Sequence, residues 1–145
     1  MSTPRYCCWR FCHPQLDEPL GNAGLQLSGR GQIETVTERS SVRQAILLLL
    51  STRPGERVMR PQYGCDLHRL VFSPNDDTTA GLAIHYVRQA IELWEPRIDR
   101  VRLDAVRSLD EESPGLLEIS LEYRLRATLE NEHLVYGLNL TGEQA

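Results

Sequence analysis

"LLEISLEYRLRATL", residues 116–129, decides how this chain folds. Leu117, Ile119, Leu121, Tyr123, Leu125, Ala127 and Leu129 alternate with Glu118, Ser120, Glu122, Arg124, Arg126 and Thr128. A period of two kept over thirteen residues is what a β-strand with one dry and one wet face requires. "DEESPG" (110–115) before it and "ENE" (130–132) after it read as turns. The same alternation runs through "RVRLDA" (100–105), with Val101, Leu103 and Ala105 on one side. It returns in "LVYGLNL" (134–140), with Leu134, Tyr136, Leu138 and Leu140 facing inward. The pattern predicts a three-strand antiparallel meander, apolar on one face.

Two amphipathic segments are available to cover that face. In "SSVRQAILLLLST" (40–52), Ser41 and Gln44 have the spacing of a capping box. Val42, Ala45, Ile46 and Leu49 form a helical stripe that Leu47, Leu48 and Leu50 spread around the cylinder, so this helix is buried. Pro54-Gly55 ends it. The second helix starts with Asp77 as N-cap and lines up Ala80, Ala83, Ile84, Val87, Ala90, Ile91 and Trp94. His85, Arg88, Gln89 and Glu92 lie opposite, and Pro96 ends the helix at Glu95. Between the helices, "GERVMRPQYG" (55–64) reads as an extended segment closed by a turn, followed by a short helical "CDLHRLVF" (65–72). "GQIETVTE" (31–38) adds a strand candidate through Ile33 and Val36. The fold class is α+β, an antiparallel meander of three to four strands packed on two main helices. Pattern alone leaves open whether residues 31–38 cover the edge of the last strand.

With 145 residues the chain makes one core-bearing domain. Residues 1–24 show no period and carry three prolines, which reads as an extended N-terminal arm before a domain over 25–145. Net charge is −4, and all 16 basic residues are arginine. That balance argues against a nucleic-acid binder. The arginine bias suits bidentate pairing with carboxylates, but GC-rich coding is the better explanation, since lysine would serve most solvated positions equally well. The longest apolar run, Ala45–Leu50, is far short of a membrane span, and the first residues lack the apolar stretch expected of a signal peptide. Direct membrane insertion is therefore not expected, and the chain is expected to assemble in the cytoplasm with reduced cysteines.

Few residues offer chemistry. Cys7, Cys8, Cys12 and His13 crowd together in "CCWRFCH", but adjacent cysteines suit a tetrahedral metal site poorly. An extended arm with Cys7, Trp9, Phe11 and His13 along one side is the alternative. Glu92 and Glu95 sit three apart at one helix end, where the dipole is negative and each costs a few tenths of a kcal/mol. A glycosidase pair faces itself across a cleft, about 5–9.5 Å apart, and this spacing does not build one. The histidines at 13, 68, 85 and 133 are scattered. The expectation is no enzyme, no cofactor and no metal. Acids at the negative end of a helix, followed by Pro96 and Arg97, make sense either as a weak local ion pair or as a contact that a partner completes.

"TRPGERVMRPQYGCDL" (52–67), "VFSPND" (71–76), "WEPRI" (94–98), "EYRLRAT" (122–128) and "LVYGLNL" (134–140), in this order, resemble the baseplate wedge family of contractile tails. Its members include the T4-type wedge subunit twenty-five, a phage W-type protein and TssE of type VI secretion. The resemblance runs from about Gly21 to Leu140. It implies a structural part that forms a ring of six copies around the tube and nucleates polymerisation of the contractile sheath. The implied partners are sheath subunits, other wedge proteins, and the central spike or hub with the inner tube. The family's EPR motif falls on Glu95, Pro96 and Arg97, beside Trp94, and implies a contact coupling the subunit to baseplate and sheath. Arg57, Arg60 and Tyr63 match the family's GER, RP and YG positions, and either arginine could pair with Glu95. Leu134, Tyr136 and Leu138 lie on a final strand suited to β-augmentation by a sheath arm. The particle would be a phage tail, a type VI machine or an extracellular injection device, released or membrane-docked. Two rivals remain: a cytoplasmic regulatory adaptor on the same fold, and a lysozyme-like hydrolase.

Overall fold

The computed structural model describes residues 7–12, 24–108 and 115–142. His13 and most of the expected turn at 110–115 therefore lie outside the described residues. The chain divides after Leu48 into two compact units.

In the first unit, short strands β1 (Cys7–Trp9) and β2 (Phe11–Cys12) pair antiparallel with β4 (Thr35–Thr37) and β3 (Gly24–Leu25), respectively. Part of the expected arm is thus strand. Alternation turns Cys8 inward while Cys7 and Trp9 stay exposed. Helix α1 spans Glu38–Ser51 and starts three residues before the expected cap. Ser41 is buried within the helix and accepts a hydrogen bond from the Cys8 thiol at 3.3 Å. Gln44 accepts from the Phe11 N–H and donates to the Trp9 carbonyl, both at 2.9 Å. The residues that mimic a capping box tie α1 to the strand pair instead. Both short polar side chains can serve either purpose, so spacing alone could not separate them.

The second unit carries the meander. A 3₁₀ helix over Asp66–Leu70 buries Leu67 and Leu70. Helix α2 follows over Asp77–Trp94. Its N-cap is Asp76 rather than Asp77, with the carboxylate accepting from the Thr79 N–H at 2.8 Å. That bond lowers the Asp76 pKa below its ordinary value. Ala83, Val87, Ala90 and Ile91 are buried as the stripe predicts. Strands β5 (Ile98–Arg107), β6 (Leu116–Leu125) and β7 (Asn131–Asn139) form one antiparallel sheet in that order, against which α2 packs. Leu117, Ile119, Leu121, Tyr123 and Leu125 are all buried. The strand stops at Leu125, not Leu129: residues 126–128 turn, and the Leu129 N–H bonds back to the Leu125 carbonyl. Ala127 and Leu129 keep the sequence period but sit exposed in the connection. β4 pairs with β1 and not with β7, which leaves β7 as an edge of its sheet among the described residues.

Candidate functional site

Trp94 closes α2, and Glu95 follows as its C-cap with its N–H bonded to the Ile91 carbonyl. Pro96 takes the second position of a turn in which the Ile98 N–H reaches the Glu95 carbonyl at 3.3 Å. This turn swings Arg97 back toward Glu95. Arg97 Nε donates to Glu95 Oε1 at 2.6 Å, and a terminal guanidinium nitrogen donates to Oε2 at 2.7 Å. The Arg97 backbone N–H adds a contact to Oε1 at 3.3 Å. Glu95 is only 6% exposed and the Arg97 side chain 21%. The acid at the wrong end of the helix is thus neutralised within the chain by a bidentate fork, the strong form of the interaction. The Arg97 carbonyl accepts from the Arg126 N–H just past β6, so the motif joins the end of α2 to the sheet.

Next to this pair stands the loop of residues 52–65. The Cys65 N–H bonds to the Thr52 carbonyl at 3.0 Å and the Gly55 N–H to the Pro61 carbonyl at 2.6 Å, closing the loop twice. Gly64 has φ +136, and a Cβ there would lie 2.5 Å from the Thr52 oxygen, so this position accepts only glycine. The turn presents Tyr63, whose ring meets Trp94 edge-on at 5.3 Å while the Arg57 guanidinium sits 4.5 Å over its centroid. Burial raises the Tyr63 pKa; Arg57 and Arg60 oppose the shift and Glu95 adds to it. The cluster is a ladder from Arg57 through Tyr63 and Trp94 to the Glu95–Arg97 fork. Neither Arg57 nor Arg60 pairs with Glu95: that partner is Arg97. The pair that forms within the chain is the local Glu95–Arg97 one that the sequence reading left open as one alternative.

The third element is β7. Leu134 and Leu138 are buried and Tyr136 half-buried, so these side chains belong to the core. The Leu140 N–H bonds to the Gly115 carbonyl, and the Leu125 N–H bonds to the Glu130 carbonyl. Antiparallel ladders alternate, so even-numbered β7 residues bond to β6 and the backbone groups of 133, 135, 137 and 139 point to the open edge. From Leu134 to Leu140 this edge carries neither charge nor proline. The opposite edge, β5, bears Arg100, Arg102 and Arg107, the usual defence against unwanted pairing.

A profile of the family "Baseplate wedge protein gp25" matches residues 36–130, more than half of the chain. The chain belongs to the baseplate wedge gp25 family. The gp25 wedge protein of enterobacteria phage T4 is 30% identical over 71 residues, covering 49% of this chain. That match spans 54% of the phage protein, so the chain covers about half the length of this curated relative. A crystal structure of a candidate tail lysozyme from Geobacter sulfurreducens is similar with 41% identity and TM-score 0.64, covering 76% of this chain and 98% of that one. A chain of the type VI secretion baseplate complex has the same fold at 19% identity and TM-score 0.56, covering 70% of this chain and 93% of that one. A chain of the anti-feeding prophage baseplate also matches, at 18% identity and TM-score 0.56, covering 94% and 86%.

Within the family frame, the sequence missed two kinds of residue. Val58 and Met59 at the loop tip are 93% and 91% exposed, and only their position between arginines hinted at it. Gly64 is a steric requirement that a one-dimensional pattern does not display. Among the described residues no group of three His, Cys, Asp or Glu is arranged to hold a metal ion, and no helix is long and apolar enough to cross a membrane.

Proposed function

We propose that this chain is a structural component of the baseplate of a contractile, phage tail-like particle, and that its β7 edge starts the sheath by accepting a strand from a sheath subunit. The observation that carries the reading is the uncharged, proline-free β7 edge, whose outward N–H and C=O groups at 133, 135 and 137 have no strand partner among the described residues. An added strand satisfies them through main-chain bonds. Copies are arranged around the tube in a ring of six, in contact with other wedge proteins and with the central hub. Assembly takes place in the cytoplasm of the producing bacterium. The Glu95–Arg97 fork serves this role from inside: it fixes Trp94, Tyr63 and Arg57 so that the loop meets its neighbours in one geometry. The two rivals differ from this reading in one respect each. An adaptor would be absent from purified particles, and a hydrolase would turn over peptidoglycan. The fork speaks against the hydrolase, because Arg97 engages both oxygens of the Glu95 carboxylate.

Val135→Pro tests the proposal. Residue 135 aims its N–H away from β6, so proline removes an edge donor without cutting the β6–β7 ladder, a placement that edge strands tolerate. The variant is expected to melt close to the parent and to leave producer cells without extended sheaths, while Val135→Thr assembles normally. Normal sheaths with Val135→Pro would refute the strand-addition mechanism.

A further inference from the structure

Beyond the sheet edge, the structure carries a second surface. We infer that the Val58–Met59 tip is an apolar plug that seats in a carboxylate-rimmed pocket of a neighbouring protein subunit. This rests on the baseplate reading for its setting, not for its chemistry.

Two adjacent aliphatic side chains this exposed lose the stabilisation that burial gives. Single exposed apolar residues are commonplace, but these stand at the end of a loop built to hold them. Besides its two closing bonds, the loop has the Glu56 N–H on the Arg53 carbonyl and the Arg60 N–H on the Arg57 carbonyl. The Tyr63 N–H bonds to the Arg60 carbonyl, and the Glu56 carboxylate accepts from the Arg53 N–H at 3.0 Å. A tip ordered before contact loses little conformational entropy when it docks. The charges say what it docks on. Arg53, Arg57 and Arg60 flank the tip, and no ion pair joins their guanidinium groups to a carboxylate among the described residues, in a chain whose net charge is −4. Arg57 is held on the Tyr63 ring with its guanidinium oriented. Oriented guanidinium groups match carboxylates in pairs, so the complementary surface is an apolar socket with Asp or Glu on its rim. A lipid surface fits less well. Two aliphatic side chains without an aromatic are a small anchor, and stable membrane attachment needs more than one weak signal.

The test places the photo-crosslinking residue p-benzoylphenylalanine at Val58 (and, as a reference, at Val135) in producer cells, followed by purification of particles. The expected result is a crosslink from position 58 to a particle subunit, mapped to a peptide with Asp or Glu beside apolar residues. The double variant Val58→Ser/Met59→Ser, which alters only exposed side chains, should enter particles roughly tenfold less with unchanged melting. Arg60→Gln should weaken incorporation at low salt and by less at high salt, where the parent's own ion pairs are screened. Normal incorporation of the double variant, or no protein crosslink from 58 while 135 crosslinks, overturns the plug and leaves the baseplate reading standing. Co-sedimentation of the purified chain with phosphatidylethanolamine–phosphatidylglycerol vesicles, lost in the double variant, overturns it in favour of a membrane. If the parent chain itself is missing from particles, the baseplate reading falls and the plug loses its setting with it.

Discussion

Replacing Arg97 by alanine strands the Glu95 carboxylate in a site only 6% exposed. Breaking a buried pair from one side costs about 3–5 kcal/mol. Here the Arg97 side chain is 21% exposed, so water takes over part of the solvation and the figure drops to about 2–3 kcal/mol. Replacing both members, as in Glu95→Leu/Arg97→Leu, removes the charge together with its partner and should stay within about 1 kcal/mol of the parent. The singles Glu95→Leu and Arg97→Leu close the cycle with this double, and it shows a coupling of about 2 kcal/mol or more, where independent sites would show none. For a chain of this size the single change lowers Tm by roughly 5–10 °C. Urea unfolding followed by Trp94 fluorescence in a Trp9→Phe background, with circular dichroism in parallel, measures each corner. A cost below about 0.5 kcal/mol for Arg97→Ala, or simple addition around the cycle, would refute the account of the fork as a buried positioning pair. The same numbers mean that lost assembly in an Arg97 variant must be corrected for lost folding, which is why Val135→Pro carries the functional test.

Gly64→Ala should cost about 2 kcal/mol or more, since its Cβ meets backbone at 2.5 Å and φ is +136; thermal melting checks it, and a neutral outcome contradicts the loop geometry. Burial pushes the Cys65 thiol up to about 11 from 9.0. The folded chain then holds that proton between these values while the unfolded chain releases it, so stability falls as pH rises from about 9 toward 11. Cys65→Ala should flatten this alkaline fall in Tm by an amount corresponding to at most about 3 kcal/mol, and parallel curves would show that the thiol does not contribute. Tyr63 and Tyr136, also raised by burial, act in the same direction.

The sheet was legible because burial on one side of a strand forces a period of two, and residues 117–125 obey it without exception. The period misled beyond Leu125, where Ala127 and Leu129 continue it in a turn. α2 was legible for the same reason at a longer period, down to its end at Pro96. The functional cluster was legible only as a set. Sequence spacing says that Glu95 and Arg97 are close, but the Pro96 turn that makes the pair bidentate is a three-dimensional event. Val58 and Met59 look like any two apolar residues until the loop's hydrogen bonds place them at its tip. Ser41 and Gln44 show the converse: residues with the spacing of a local cap that serve a tertiary contact instead.

A reconstruction of the purified particle at side-chain resolution decides whether the β7 edge receives a strand. It should show an additional strand, from another chain, hydrogen-bonded to the backbone of residues 133–139. A β7 edge bordered only by solvent in the assembled baseplate would contradict it.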